Sequence, residues 1–97
     1  MNEPRWQGTN FEWNGGNQEG WDVVNIFNQT FVDAVRATGG NNEHRFLMVC
    51  PYAANSGETA LAALKLPDDD RLIVSVHAYI PYNFALAEMG SPMWVEE

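Results

Sequence analysis

The chain has 97 residues, 45% of them hydrophobic and 12% aromatic, a composition typical of a folded globular protein. Its net charge of -8, from five Lys+Arg against thirteen Asp+Glu, argues against nucleic acid as a partner, because binding to phosphates needs clustered cations. The sequence shows no apolar run long enough to span a bilayer and no basic-then-apolar leader, so no membrane association is expected.

Residues 1–20 are rich in Gly, Asn and Trp and predict a long loop that opens with Asn2-Glu3-Pro4-Arg5. A helix is predicted over residues 21–38, because apolar residues recur there at helical spacing. The apolar face of this helix is formed by Val24, Phe27, Phe31, Ala34 and Val35. Gly39-Gly40 then supplies a stop signal.

Two segments further along the chain predict strands. Residues 46–50 form a continuous apolar run closed by Pro51, which is typical of a strand covered on both faces. Residues 71–79 are rich in β-branched residues and predict a second strand. Between them, residues 58–66 favour a short helix that ends before Pro67, and a weaker pattern over residues 85–89 indicates the start of another.

The order helix, strand, helix, strand predicts parallel βα units. Parallel strands need helices on both faces and neighbouring strands on both edges, and two strands alone would leave apolar edges bare. A small, complete α/β domain is therefore the weaker interpretation. We expect an α/β segment of a larger parallel barrel or sheet.

The second predicted strand carries different side chains on its two faces. Leu72, Val74 and Val76 form an aliphatic face, whereas the opposite face becomes polar and aromatic toward its end, at Ser75, His77 and Tyr79. In a (β/α)8 barrel the C-terminal ends of the strands form the mouth of the active site. A histidine at that position is as compatible with a catalytic role as with a structural one.

Two motifs in this framework resemble those of family 5 glycoside hydrolases. Asn2-Glu3-Pro4 resembles the signature at the end of barrel strand 4, and His77-Ala78-Tyr79 resembles the His-x-Tyr at the end of strand 6. Residues 28–42, 45–55 and 71–85 are most similar to the subfamily 4 endoglucanases. The resemblance implies that residues 1–97 are an internal piece of one catalytic domain, a partial (β/α)8 TIM barrel.

The resemblance implies a retaining endoglucanase that hydrolyses β-1,4-linked glucans such as cellulose, xyloglucan or mixed-linkage glucan. Glu3 would be its catalytic acid/base, Asn2 would bind the sugar 2-hydroxyl, and His77 and Tyr79 would line the cleft. The family's nucleophilic glutamate follows strand 7, so this chain would lack it and need the remainder of the barrel to be active. The parent enzyme is expected to be secreted and to need no cofactor.

Several aromatic residues are further candidates for contact with sugar rings, because flat aromatic faces suit the apolar faces of pyranoses. Trp6 and Trp13 lie in the first loop and Tyr52 follows the first strand, whereas Trp21 is expected to pack. None of the other glutamates considered lies at a strand end, and so none is predicted to replace the nucleophile; these are Glu12, Glu19, Glu88, Glu96 and Glu97. No metal is assigned, because His44 and His77 have no ligand-like spacing with carboxylates.

Two other functions compete with the enzyme interpretation. The four tryptophans and the acidic charge would suit a non-catalytic carbohydrate-binding module, but such modules are usually all-β sandwiches, and the helical pattern opposes this. The chain could instead be a half-barrel that assembles with a complementary chain.

Overall fold

The computed structural model describes residues 2–80 and 85–86. In chain order it contains helix α1 (Gln18–Ala37), strand β1 (Leu47–Val49), helix α2 (Glu58–Ala63) and strand β2 (Leu72–Val74), with 3-10 turns at Gly40–Glu43 and Tyr52–Ala54. Most of the helix predicted over residues 85–89 lies outside the described residues, as do Glu88, Glu96 and Glu97. No helix in the described part of the chain is both long and apolar enough to cross a membrane.

Helix α1 begins at Gln18 rather than at the predicted residue 21, because Asn17 caps it. The Asn17 side-chain oxygen accepts a hydrogen bond from the N–H of Gly20, with 2.9 Å between the two heavy atoms. The helix ends at Ala37, and Gly39 follows in the left-handed conformation at φ 71°. The predicted stop at Gly39-Gly40 is therefore confirmed.

The buried face of α1 differs from the predicted one. Its buried residues include Val24, Asn28 and Val32, whereas Phe27 and Phe31 border this stripe and remain exposed. The predicted face was wrong at these two positions because only hydrophobic residues were used to locate the middle of the buried stripe. Asn28 was not counted, yet its side-chain amide donates to the carbonyl of Cys50 at 2.8 Å, which draws this side of α1 onto the end of β1.

Strands β1 and β2 pair in parallel, with Leu47 opposite Leu72 and Val49 opposite Val74. The predicted parallel βα order is confirmed. α1 packs over the pair through a core of Val32, Leu47 and Val49. Burying an aliphatic side chain of this size stabilises a fold by roughly 1.5–3 kcal/mol, so these three residues hold α1 on the sheet.

Both strands differ from their predictions in extent or coverage. β1 is buried on one face only, since Met48 is 61% exposed on the other and no described residue covers it. β2 ends at Val74 rather than at residue 79. Beyond β2, the N–H of Ser75 donates to the carbonyl of Val49 at 2.8 Å, and His77 forms an isolated parallel bridge with Asn55. Within the described residues the strand itself goes no further, because β1 has already ended in a turn.

Helix α2 ends at Ala63 rather than at the predicted residue 66, because Asn25 of α1 captures its end. The Asn25 side chain donates to the carbonyl of Ala63 at 3.0 Å and accepts from the N–H of Lys65 at 2.9 Å. Leu64 between them is extended, with ψ 126°. A 20-residue helix beside a parallel strand pair does not fit the all-β sandwich expected of a carbohydrate-binding module.

Candidate active site

The turn that follows β1 joins the N-terminal loop to the segment after β2. The N–H of Ala53 donates to the carbonyl of Pro4 at 2.8 Å, and the N–H of His77 donates to the carbonyl of Ala54 at 2.8 Å. Ala53 and Ala54 are both left-handed, at φ 53° and 51°, a conformation that is unfavourable for residues other than glycine. This strained turn therefore brings the Glu3 loop and His77 together at the C-terminal ends of the strands.

Glu3 and His77 form a direct contact. The His77 Nδ1 and Glu3 Oε2 atoms lie 2.6 Å apart, and the side chains retain 37% and 18% exposure, respectively. They share a cavity of about 190 Å³ with Ser75. Ser75 and His77 thus line the same cavity, as the alternation of the second strand predicted.

A carboxyl group and an imidazole at this distance can share one proton. If Nδ1 carries it, the imidazole donates to the carboxylate; if Glu3 carries it, the carboxyl donates to Nδ1. Because the pair remains partly exposed beside a cavity, the carboxyl can deliver a proton to a group bound there or take one from it. The arrangement is therefore suited to general acid/base chemistry.

Arg5 organises the loop that follows Glu3. Its Nε donates to Glu12 Oε2 at 2.7 Å, its Nη1 donates to the carbonyl of Glu3 at 3.0 Å, and its guanidinium lies 4.1 Å from the centre of the Trp13 ring. The second Glu12 oxygen accepts from the N–H of Gly8 at 3.0 Å. The Arg5 hydrogen bond lowers the pKa of the Glu12 carboxyl, and the Gly8 N–H adds to this effect.

The two tryptophans predicted to contact sugar are on the surface of this loop. Trp6 is 44% exposed and Trp13 is 54% exposed, so both indole rings are accessible. Trp21, expected to pack, is partly buried, and its indole N–H donates to the carbonyl of Gly15 at 2.6 Å. The loop thus presents two accessible aromatic surfaces and is anchored by the third.

Tyr52 lies in a different place from the one that sequence reasoning gave it. Only 2% of its surface is exposed, and it does not line the cavity of Glu3 and His77. Its hydroxyl donates to the carbonyl of Phe11 at 2.6 Å and accepts from the N–H of Trp6 at 2.9 Å. The ring fills a gap left by Gly16 and Gly20, where any added Cβ would lie within 3.0 Å of it. This environment assigns Tyr52 to packing and corrects its prediction as a sugar contact.

The remaining candidates flank the central pair. Asn2 precedes Glu3 and is exposed, and Tyr79 lies two residues beyond His77 with 48% of its surface exposed. Neither side chain has a hydrogen-bond partner within the described ranges 2–80 and 85–86. Over the same ranges, no group of three or more His, Cys, Asp or Glu side chains comes together as a candidate metal site.

Sequence reasoning missed Arg5 and the Ala53-Ala54 turn. Arg5 adjoins the recognised motif, and that position was the one available signal. The two alanines gave none, because alanine carries no turn signature and seldom adopts a left-handed backbone.

Residues 1–96 match the family Cellulase (glycosyl hydrolase family 5). Among similar proteins, Endoglucanase B of Neocallimastix patriciarum is 55% identical over 89% of this chain and 18% of its own length. Endoglucanase B of Ruminococcus albus is 48% identical over 100% of this chain and 24% of its own length. The chain thus spans about a quarter or less of these relatives.

Solved structures give the same result. A GH5-4 broad specificity endoglucanase from Ruminococcus champanellensis with bound cellotriose superposes with a TM-score of 0.90 and 52% identity, covering 99% of this chain and 29% of that one. The corresponding enzyme from Clostridium acetobutylicum gives a TM-score of 0.92 at 48% identity, over 99% of this chain and 29% of that one. The resemblance seen in the two motifs is confirmed: the chain belongs to glycoside hydrolase family 5 and forms part of its (β/α)8-barrel fold.

Proposed function

We propose that residues 1–97 supply the acid/base part of the active site of a retaining endo-β-1,4-glucanase. The observation that carries the proposal is the contact between Glu3 and His77 at the C-terminal ends of parallel strands, in a chain of this family. We further propose that the whole chain belongs to one catalytic domain. Its substrate would be a glucan such as cellulose, xyloglucan or mixed-linkage glucan, consistent with cellotriose in the R. champanellensis structure.

In the proposed reaction, the protonated Glu3 donates to the glycosidic oxygen as the bond to the anomeric carbon breaks. A second carboxylate attacks that carbon and forms a glycosyl-enzyme, which requires the two carboxyl groups to lie roughly 5–5.5 Å apart. Glu3 then removes a proton from a water molecule as the water oxygen bonds to the anomeric carbon, and the bond from that carbon to the second carboxylate breaks, which releases the sugar. His77 holds the Glu3 carboxyl in place between the two steps.

The nucleophile is proposed to come from outside these residues. Glu12, close to Glu3 in sequence, is already engaged by Arg5 and the N–H of Gly8, so it is not available to attack carbon. The remainder of the barrel would therefore be needed for a complete site. Asn2 is proposed to bind the sugar 2-hydroxyl and Tyr79 to line the cleft. Because polymeric glucans do not enter cells, we also propose that the parent enzyme is secreted.

A graft tests the proposal. Residues 1–97 replace the matching segment of the R. champanellensis endoglucanase, which gives a complete barrel with this chain's residues at the site; we call this the grafted enzyme. Glu3→Ala should reduce glucan hydrolysis by about 10²–10⁴-fold, because general acid catalysis is worth that much for a poor leaving group. Formation of the glycosyl-enzyme from an activated aryl glycoside should be spared, and azide should restore its turnover by intercepting the intermediate.

Glu43→Ala is the matched control, because Glu43 is an exposed glutamate in the 3-10 turn after α1, away from the cavity of Glu3 and His77. It should leave activity on both substrates unchanged. Equal losses on glucan and aryl glycoside in Glu3→Ala, without any glycosyl azide product, would rule out Glu3 as the acid/base.

A further inference from the structure

Glu3 adopts a backbone conformation that its sequence opposes. Its φ is 48°, in the left-handed region that residues with a side chain seldom occupy. The following residue, Pro4, favours an extended backbone at Glu3 instead. Contacts from elsewhere must therefore hold this conformation, because such strain persists only where the surroundings fix it.

Arg5 supplies one of these contacts directly to Glu3. Its Nη1 donates to the Glu3 carbonyl at 3.0 Å, while the adjacent carbonyl, that of Pro4, accepts from the N–H of Ala53 at 2.8 Å. The Glu3 carboxylate is held separately by His77. Arg5 thus fixes the Glu3 carbonyl directly, and Ala53 fixes the next residue, Pro4, from the side of the strands.

The Arg5 guanidinium is itself held on three sides. Glu12 accepts from Nε, the ring of Trp13 covers one face at 4.1 Å, and the Glu3 carbonyl takes Nη1. Glu12 cannot turn away freely, because its other oxygen accepts from the N–H of Gly8. A planar guanidinium can make two edge contacts and one face contact at once, whereas a lysine ammonium has no such plane.

We infer that Arg5 is a positioning residue for Glu3: it fixes the strained backbone that aims the carboxyl at the leaving group. The inference rests on the proposed function, in which Glu3 is the acid/base. Since Arg5 contacts the Glu3 carbonyl and not its carboxyl, its loss should misplace the proton donor without removing it. A small displacement of a catalytic group is enough to slow a reaction by about 100-fold.

The test replaces Arg5 by lysine in the grafted enzyme and compares it with Arg36→Lys. The two arginines are matched: each side chain is 18% exposed, and each binds a carboxylate through Nε and a backbone carbonyl through Nη1. Arg36, however, pairs with Asp69 at the C-terminal end of α1, far in sequence from the Glu3 loop. Both variants therefore lose the hydrogen-bond geometry of a guanidinium, but only Arg5→Lys changes a contact with Glu3.

The measured quantity is kcat/KM on glucan divided by the rate of glycosyl-enzyme formation from an activated aryl glycoside. We expect Arg5→Lys to lower this ratio by about 10–100-fold, because only the glucan needs an accurately placed acid. Arg36→Lys should lower the melting temperature and leave the ratio unchanged. The same ratio in Arg5→Lys as in the unmutated grafted enzyme would overturn the inference.

A second variant covers the case in which Arg5→Lys does not fold. Glu12→Gln keeps one acceptor oxygen for Arg5 but removes the charge and the acceptor for the N–H of Gly8. The ratio should therefore fall by a smaller factor, about 3–10-fold, as expected for weakening a charged hydrogen bond. An unchanged ratio would again count against Arg5. Failure of the proposed function gives a different result, because Glu3→Ala itself would then leave the ratio unchanged. If Glu3→Ala lowers the ratio and neither Arg5→Lys nor Glu12→Gln lowers it, only the inference about Arg5 fails.

Discussion

Replacing Tyr52 by phenylalanine tests whether this residue packs inside the fold or contacts the sugar. Tyr52→Phe keeps the ring against Gly16 and Gly20 but deletes the hydroxyl that joins Phe11 and Trp6. Each of the two lost hydrogen bonds is worth about 0.5–1.5 kcal/mol. The variant should therefore lose about 1–3 kcal/mol of unfolding free energy, with the lower part of this range favoured because the loop groups can bind water instead.

The assay is thermal unfolding of the grafted enzyme together with its steady-state kinetics on glucan. This chain covers 29% of the recipient enzyme, which therefore has roughly 330 residues, and for a protein of that size 1 kcal/mol shifts the melting temperature by roughly 1.4 °C. Tyr52→Phe should therefore unfold about 1–4 °C earlier. Its KM for glucan should remain the same, since the hydroxyl is buried and fully engaged.

Tyr79→Phe is the matched comparison, because Tyr79 is 48% exposed and has no hydrogen-bond partner within the described residues. Its free energy of unfolding should stay within about 0.5 kcal/mol of the unmutated value, and any effect should fall on the kinetics if Tyr79 lines the cleft. A raised KM in Tyr52→Phe at an unchanged melting temperature would refute the assignment of Tyr52 to packing.

Three further predictions concern pH, folding and the turn after β1. Arg36 lowers the pKa of Asp69 from 3.8 to about 2, so the stabilisation from this pair is complete above pH 3.8 and disappears as the pH falls toward 2. Over that pH window the melting temperature of Asp69→Asn should fall less than that of the unmutated grafted enzyme, and identical pH profiles of the two would contradict the pairing. The isolated chain should aggregate or lack fixed packing and should not hydrolyse glucan, because Met48 and Ile73 expose apolar strand faces; cooperative unfolding of a dispersed monomer in calorimetry would count against this. In the grafted enzyme Ala53→Gly should keep full activity, since glycine accepts φ 53° without strain. Ala53→Val should hydrolyse glucan about 10-fold more slowly or worse, because a β-branched side chain opposes this conformation. Equal rates in the two variants would show that the conformation of the turn is unimportant.

The features that could be predicted from the sequence are those set by local pattern or by a chemically required residue type. Helix α1 follows from its apolar spacing and its Gly39 stop, and the two strands follow from their apolar and β-branched runs. Glu3 and His77 were identified as candidates because each lies in a motif at a predicted strand end. Their contact, between residues 74 positions apart, then follows from parallel topology.

The features that could not be predicted depend on polar contacts between distant parts of the chain. Asn25 ends α2 from a position 38 residues before Ala63, and Asn28 sets the buried face of α1 through the carbonyl of Cys50. Tyr52 reaches back 41 residues to Phe11. In each case a side chain bonds to a backbone group, and every residue offers such groups, so the sequence does not show which one will be chosen.

The residues with a strained backbone lie close to one another, which indicates how the geometry of this site is maintained. The non-glycine residues with left-handed φ in the described chain are Glu3, Ala53 and Ala54, and one hydrogen bond, from Ala53 to Pro4, joins the two places where they occur. Strain that arose from poor local packing would be scattered along the chain. Strain confined to the backbone of Glu3 and to the turn that binds its loop instead means that stabilising contacts elsewhere, such as the Val32, Leu47 and Val49 core, offset the cost of one fixed geometry. Ala53→Gly relieves the strain of the turn without removing any of its hydrogen bonds, so it should make the grafted enzyme more tolerant of heat while glucan hydrolysis stays unchanged. A melting temperature no higher than that of the unmutated grafted enzyme would contradict this account of the strain.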